Sequence, residues 1–288
     1  VNILVTGSAG FIGTHLVQQL GRRGHRVTGV DKRHGRPTTD LPAFQKTVDA
    51  AEPDVIVHLG ANCSTSRSLT DPAHDFLHNA VGTFNVAEAA RQAGGIPVIY
   101  TSTVKVNPGA DGRIAPLGLS KRVGEDYLNL YADLYGLPHV ILRPSTVYGP
   151  GQDGTSESGW VTWFLRALFN RRQITIHGDG TQSRDILYID DFTRLLIDIC
   201  ENHTDYQRAE PYDVGGGPDN ELSLLDLLHT WETDTGARPD IVHDERLPGD
   251  LQRVVTDNTA INNVRGWAPT TSALDGLRST LAWIGEQW

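Results

Sequence analysis

The residues best suited to chemistry stand near the start of the chain, in Thr6-Gly7-Ser8-Ala9-Gly10-Phe11-Ile12-Gly13, directly after the apolar run Ile3-Leu4-Val5. Three glycines at this spacing do three things. Gly7 permits a tight turn, Gly10 lets an anion approach the backbone, and Gly13 allows a helix to pack closely on a strand. The helix that opens here offers free N–H groups and the positive end of its dipole, which together hold a pyrophosphate. A Gly-rich turn alone is weak evidence, but Asp31 closes the next strand, where a carboxyl group binds a ribose diol. The pair reads as a dinucleotide site. Lys32, Arg33 and Arg36 follow Asp31 at once. As solvated loop residues they leave the cofactor as NAD(H); facing a 2′-phosphate they make it NADP(H). Residue types alone admit both.

Such a loop works only if regular elements hold it. Ile3-Leu4-Val5, Arg26–Val30, Val55–Leu59, Val98-Ile99-Tyr100 and Val140-Ile141-Leu142 read as buried parallel strands, with helical patterns between them at about 12–22, 42–51, 72–93 and 117–135. This alternation predicts the α/β class, a Rossmann doubly wound parallel sheet with a smaller, mostly helical C-terminal substrate lobe. The expected division is 1–147 plus about 178–204 for the dinucleotide unit, and about 148–177 plus 205–288 for the lobe. Residues 150–160 are rich in Gly and Ser and read as a lid. Helices are expected near 160–170, 222–235 and 272–287, the first bearing Trp160, Trp163 and Phe164.

Composition narrows the functional classes. The 288 residues carry a net charge of −10, with 39% hydrophobic residues. No apolar run approaches the ~18 residues of a membrane span. An acidic chain without a basic stripe is poorly suited to nucleic acid. Two cysteines, Cys63 and Cys200, make neither a disulfide framework nor a four-ligand zinc site. The 11 histidines lack metal spacing, since His74 and His78, four apart on a helix, have no matching acidic or cysteine partners. No metal is expected. With a strand opening the chain, a cytoplasmic location is expected.

Further blocks fall in order: His58-Leu59-Gly60-Ala61, Asn79-Ala80-Val81-Gly82-Thr83, Arg143–Pro150 and Arg184–Asp191. Together with the glycine loop and Asp31 they resemble the extended short-chain dehydrogenase/reductase family of nucleotide-sugar epimerases and dehydratases, across essentially the whole chain. The resemblance implies that Leu59, Gly60, Ala61 and Thr101 line the cofactor and that Asp40-Leu41 supply an adenine-side contact. It also implies that Asn79 orders the active-site helix, that Pro144, Ser145, Thr146 and Val147 pass under the nicotinamide, and that Asn62, Ser64 and Arg184 face substrate. A homodimer through helices 72–93 and 117–135 is a further implication.

The departures from that family carry more information than the matches. Its chemistry rests on Tyr-x-x-x-Lys with a Ser or Thr, the tyrosine passing a proton to or from the reacting oxygen. The corresponding stretch here is Leu117-Gly118-Leu119-Ser120-Lys121. Lys121 is in place, Thr103 falls at the Ser/Thr position, and Leu117 stands where the tyrosine would be. Leucine neither donates nor accepts a proton. Thr146 replaces the asparagine that usually precedes Val-Tyr-Gly-Pro, and Leu247, beside Arg246, replaces an arginine of the diphosphate site. Trp160 and Trp163 suit the lobe's core; facing the cleft, they suit a flat aromatic ligand.

The expected activity is therefore an NAD(P)H-dependent ketoreductase acting on a carbonyl of an aromatic polyketide-type natural product. It resembles the tyrosine-less ketoreductases of antibiotic biosynthesis, the angucyclinone reductases among them. A nucleotide-sugar 4-epimerase or dehydratase with a displaced acid–base residue is the second reading, and a non-catalytic NAD(P)-binding protein the third.

Overall fold

The computed structural model describes residues 1–35, 37–155 and 159–287. Six parallel strands form the main sheet in the order β2-β1-β3-β4-β5-β9: β1 (Asn2–Thr6), β2 (Arg26–Val30), β3 (Val55–His58), β4 (Val98–Thr101), β5 (His139–Pro144) and β9 (Tyr212–Val214). Helices α1 (Phe11–Arg22), α2 (Leu41–Ala51), α5 (Gly82–Gln92), α6 (Pro116–Tyr135) and α8 (Ile189–Asn202) cover its faces. The strand order reverses beside β1, where its neighbours β2 and β3 both follow it in sequence. In open parallel sheets ligands bind in the crevice at that point.

Alternation along the strands explains the two-sided core. On β1, Ile3 and Val5 pack with Leu16, Leu20, Phe192 and Leu196 of α1 and α8. Leu4 points the other way, to Phe44, Val48, Val86 and Leu128 of α2, α5 and α6. Both faces are covered, so the strands read as continuous apolar runs. Segment 72–92 is one helical rod with a π-helical turn, Leu77–Val81, between α4 (Pro72–Phe76) and α5. α6 starts on Pro116 and stops at Gly136, whose φ of 66° suits glycine.

At Ser145 the chain leaves the main sheet. β6 (Thr146–Tyr148) pairs with β8 (Ser183–Tyr188), which also pairs with β10 (Glu221–Ser223) and β12 (Arg253–Val254). β7 (Ile174–His177) pairs with β11 (Ile241–Asp244). These two small sheets join α7 (Trp160–Phe169), α9 (Leu224–Thr235) and α11 (Ala273–Glu286) in the second lobe, whose core holds Phe164, Leu168, Ile176, Leu227 and Ile284. The expected assignment of all of 205–288 to this lobe needs correction. β9 is the sixth strand of the main sheet, and Ile261 of α10 (Thr259–Arg265) and Trp267 pack in the first core with Tyr212 and Val214. A three-residue strand is too short to announce itself by pattern.

Candidate functional site

A cleft of about 1120 Å³ runs from the glycine loop, past the ends of the main-sheet strands, into the second lobe. Its first wall is the loop itself. Gly7 has φ 69°, and a Cβ there would sit 2.8 Å from Gly60 N. A Cβ on Gly13 would meet the Gly7 carbonyl oxygen at 2.2 Å. Gly10 caps α1 without a side-chain hydrogen bond, leaving the helix N–H groups for an anion. Asp31 is buried and accepts from Ala9 N (3.1 Å) and Arg33 N (2.9 Å), while the Arg33 guanidinium donates to the Ala9 carbonyl at 2.8 Å. Lys32 and Arg33 line the cleft, with Pro37 and Thr38 beyond them. Arg36 lies outside the described residues, as do 156–158 of the 150–160 loop.

A buried histidine clamps this loop to the next strand. Gly60 N donates to Thr6 Oγ1 (3.1 Å), whose hydroxyl donates to His58 Nδ1 (2.7 Å). His58 Nε2 then donates to Thr83 Oγ1 (3.1 Å), which donates to the Asn79 carbonyl (2.6 Å). Burial, with the nearby Lys121 charge, pushes the imidazole down to about 3. It is neutral, as the chain of donors requires.

Deeper in, Phe11, Ile12, Leu59, Gly60, Ala61, Thr101, Pro144, Ser145, Thr146 and Val147 all border the cleft. The hydroxyls of Thr101 and Ser145 are buried without a protein partner, as groups awaiting a ligand would be. Lys121 Nζ donates to the Thr101 carbonyl at 2.8 Å and lies 4.9 Å from the Tyr100 ring centroid. Burial lowers the ammonium to about 8. Thr103 Oγ1 accepts from Lys105 N (3.3 Å), so its proton is available to the cleft. Leu117, on the first turn of α6, is 3% exposed and faces the same space.

Two expected cofactor contacts are not on the cleft wall. Asp40 caps α2 by accepting from Ala43 N (3.1 Å), and Leu41 packs on the second core. The helix end needs that carboxyl group, and Pro37 and Thr38 take the place on the wall. Asn79 is likewise buried behind the cleft, at the π-helical turn. Its Oδ1 accepts from Asn62 N (2.8 Å), and its amide donates to Ser120 Oγ (3.0 Å) and Asp75 Oδ1 (3.1 Å). Asp75, 0% exposed, also takes Asn62 Nδ2 (2.6 Å) and the Ser120 hydroxyl (2.6 Å). Asn62, which does line the cleft, is held by this network. Nothing in the sequence marks Asp75, since an Asp in a polar stretch of helix reads as surface.

The outer part of the cleft is bordered by Asn62, Ser64, Trp160, Trp163, Gln182, Arg184, Leu247 and Asp250. Trp160 and Trp163 each pack on the lobe core and also line the cleft. Arg184 is tied to Asp250 (2.9 Å) and to the Ser183 carbonyl (2.7 Å). Arg246 turns away to Gln252 and Asp179, leaving Leu247 on the wall. Gln152 anchors the described part of the 150–160 loop, donating to the Val147 carbonyl (3.0 Å) and accepting from Thr162 (2.7 Å). Lys105, unmarked in the sequence except as one of four lysines, also lines the cleft, with Nζ donating to Thr65 Oγ1 at 2.8 Å. Among the described residues no group of three or more His, Cys, Asp or Glu is placed to hold a metal, and no helix is long and apolar enough to cross a membrane.

Residues 3–215 match the NAD dependent epimerase/dehydratase family. A relative described as UDP-glucose 4-epimerase, from Mycolicibacterium smegmatis, is 36% identical, with 96% of each chain covered. The solved UDP-glucose 4-epimerase of Thermotoga maritima, with UDP-glucose, is 29% identical with a TM-score of 0.87, covering 100% of this chain and 99% of the other. That of Thermus thermophilus, in complex with NAD, is 26% identical with a TM-score of 0.87 and 99% of each chain covered. The glycine cradle, the bare N-terminus of α1 and the two unpartnered hydroxyls fit a dinucleotide along this cleft. The chain belongs to the NAD-dependent epimerase/dehydratase family, and its cofactor is NAD.

Proposed function

We propose that the protein is a ketoreductase that reduces a carbonyl group on a flat, aromatic polyketide-type substrate. The observation carrying this reading is Leu117: a buried, proton-free side chain faces the cleft where the family's tyrosine would manage the proton. A reduced dinucleotide held along the cleft would supply the hydride. Lys121, pinned to the Thr101 carbonyl, would hold the cofactor ribose, and Thr103 offers a hydroxyl to the substrate oxygen. Holding the two partners in contact supplies much of the acceleration. Reduction needs a proton delivered, and a ketone whose oxyanion is delocalised or internally hydrogen-bonded tolerates a weak donor. Oxidation of a sugar hydroxyl needs a base from the outset, and residue 117 provides none. Trp160, Trp163 and Leu247 give the substrate end an aromatic and apolar wall, with Arg184 committed to Asp250.

The second reading, a nucleotide-sugar 4-epimerase with a displaced acid–base group, is favoured by the relatives, which are described as sugar-nucleotide enzymes. One assay separates the two. The protein is incubated with NADH or NADPH and either an aromatic ketone or a UDP-sugar. Loss of absorbance at the dinucleotide band with the ketone supports reduction. UDP-sugar isomerisation without net cofactor turnover overturns it in favour of the second reading, and binding without turnover on either overturns both. Lys32 and Arg33 beside Asp31 lead us to propose NADPH as well as NADH as a ligand, tested by their dissociation constants.

We further propose a second copy of this chain as partner, through α4, the π-helical turn, α5 and α6. Phe76, Leu77, Leu119, Leu130, Leu134 and Tyr135 are all exposed there. Large apolar side chains left exposed on neighbouring helices are candidates for an interaction surface.

A further inference from the structure

We propose that Lys105 donates the hydrogen bond and the proton that the reacting oxygen receives. The inference rests on the carbonyl-reduction reading above and names its acid.

The backbone of Lys105 packs against the helical turn that carries Leu117, the position that lost its acid. Lys105 follows Thr103 by two residues, on the short turn Val104–Val106 that Thr103 caps. That turn packs on the first turn of α6: a Cβ on Gly118 would lie 2.0 Å from the Lys105 carbonyl oxygen, so glycine is needed there. Leu117 is the neighbour of that contact. Lys105, Thr103 and Leu117 all line the cleft. Its Nζ has one protein partner described, Thr65 Oγ1 at 2.8 Å. An ammonium has three protons, so donors remain for a substrate oxygen.

The surroundings make this ammonium a usable acid. Burial lowers its pKa, and the positive charge of Arg184 lowers it further, while Asp250 and Cys63 act the other way. Lys121, one helical turn beyond Leu117 on α6, is the other lysine on the cleft wall, but its Nζ is bound to the Thr101 carbonyl. Leu117 leaves the reacting corner apolar, which strengthens a hydrogen bond from Nζ.

A reduced dinucleotide in the cleft would supply the hydride for the new C–H bond; as the C=O π pair moves to oxygen, an Nζ–H proton passes to that oxygen. The products are the alcohol, the oxidised dinucleotide and a neutral amine, which water reprotonates.

The test uses the full chain with an aromatic ketone, comparing wild type with Lys105→Met and Lys105→Arg. Melting temperature and NADH affinity are measured for each, so that a folding defect is seen as such. The expected result is a ~10²–10⁴-fold loss of kcat in Lys105→Met with NADH affinity within 2-fold, the range ascribed to a general acid. Wild-type kcat should fall as pH rises and the ammonium deprotonates. In Lys105→Arg that alkaline fall should move to higher pH, because guanidinium keeps its protons. A purely structural lysine would not shift the profile. Lys105→Met within 3-fold of wild type, with the same alkaline limb, overturns the proposal while leaving carbonyl reduction standing. If the wild type instead isomerises a UDP-sugar, carbonyl reduction has failed, and the same variants assayed on that reaction decide the role of Lys105.

Discussion

Asp75 offers the sharpest test of how the fold holds the cleft wall. Its two carboxyl oxygens take Asn62 Nδ2, Asn79 Nδ2 and the Ser120 hydroxyl, and the residue is fully buried. In Asp75→Leu, which keeps the branching but is larger, the Ser120 hydroxyl turns to the Leu117 carbonyl, already 3.1 Å away. The second proton of each amide is already used, by the Ser64 carbonyl at 3.2 Å and by Ser120 Oγ at 3.0 Å. Two buried N–H groups are thus left bare. At about 1–3 kcal/mol each, the variant should lose about 2–6 kcal/mol. At ~2–4 °C per kcal/mol, its melting temperature should drop by at least ~4 °C. Asp75→Asn should behave differently. Its carbonyl oxygen, placed at the Oδ1 site, keeps both amide donors, and its NH2 then donates to Ser120 Oγ, so the expected loss is below about 1 kcal/mol. Scanning calorimetry measures both, and NADH titration reports whether Asn62 still shapes the wall. If Asp75→Leu melts within a degree of wild type, or Asp75→Asn falls as far as Asp75→Leu, the network does not hold the wall as described.

Gly13→Ala should abolish tight NADH binding and cost about 1–3 kcal/mol of stability, because its Cβ would stand 2.2 Å from the Gly7 carbonyl; fluorescence titration and a thermal melt check both. His58 accepts a proton at 6.5 in the unfolded chain and only at about 3 in the folded one. The unfolded state therefore binds more protons across that window, and stability falls as pH drops through it. His58→Gln should flatten this acid limb in urea titrations from pH 7 to 4. Leu117→Tyr should not raise ketone-reduction kcat by orders of magnitude, since the substrate end is built without that hydroxyl; a gain of 100-fold or more in a stopped-flow assay would count against the carbonyl-reduction reading. Leu134→Glu together with Leu130→Glu should convert a dimer to a monomer in sedimentation velocity while leaving the monomer's melting temperature within a few degrees.

The dinucleotide end was legible because local sequence makes it. Gly7, Gly10 and Gly13 act through backbone space and helix ends, and Asp31 is fixed by where its strand stops. The sheet was legible for a related reason: strands buried on both faces must be apolar throughout, as Ile3, Leu4 and Val5 are. The substrate end was less so. Asp40 is an acidic residue after a strand–turn pattern, and only the folded chain shows it spent on capping α2. Asn79 and Asp75 touch the cleft through Asn62, a link between residues on different elements that no spacing encodes.

Lys105 is the clearest case of what tertiary structure decided. In the sequence it is a lysine between two valines, a residue type that is almost always solvated. In the fold, the missing side chain of Gly118 lets its turn press against α6, and the cleft closes around its amine. Sequence set which residues were available and where the backbone could bend; which polar groups became buried depended on contacts between segments far apart in the chain.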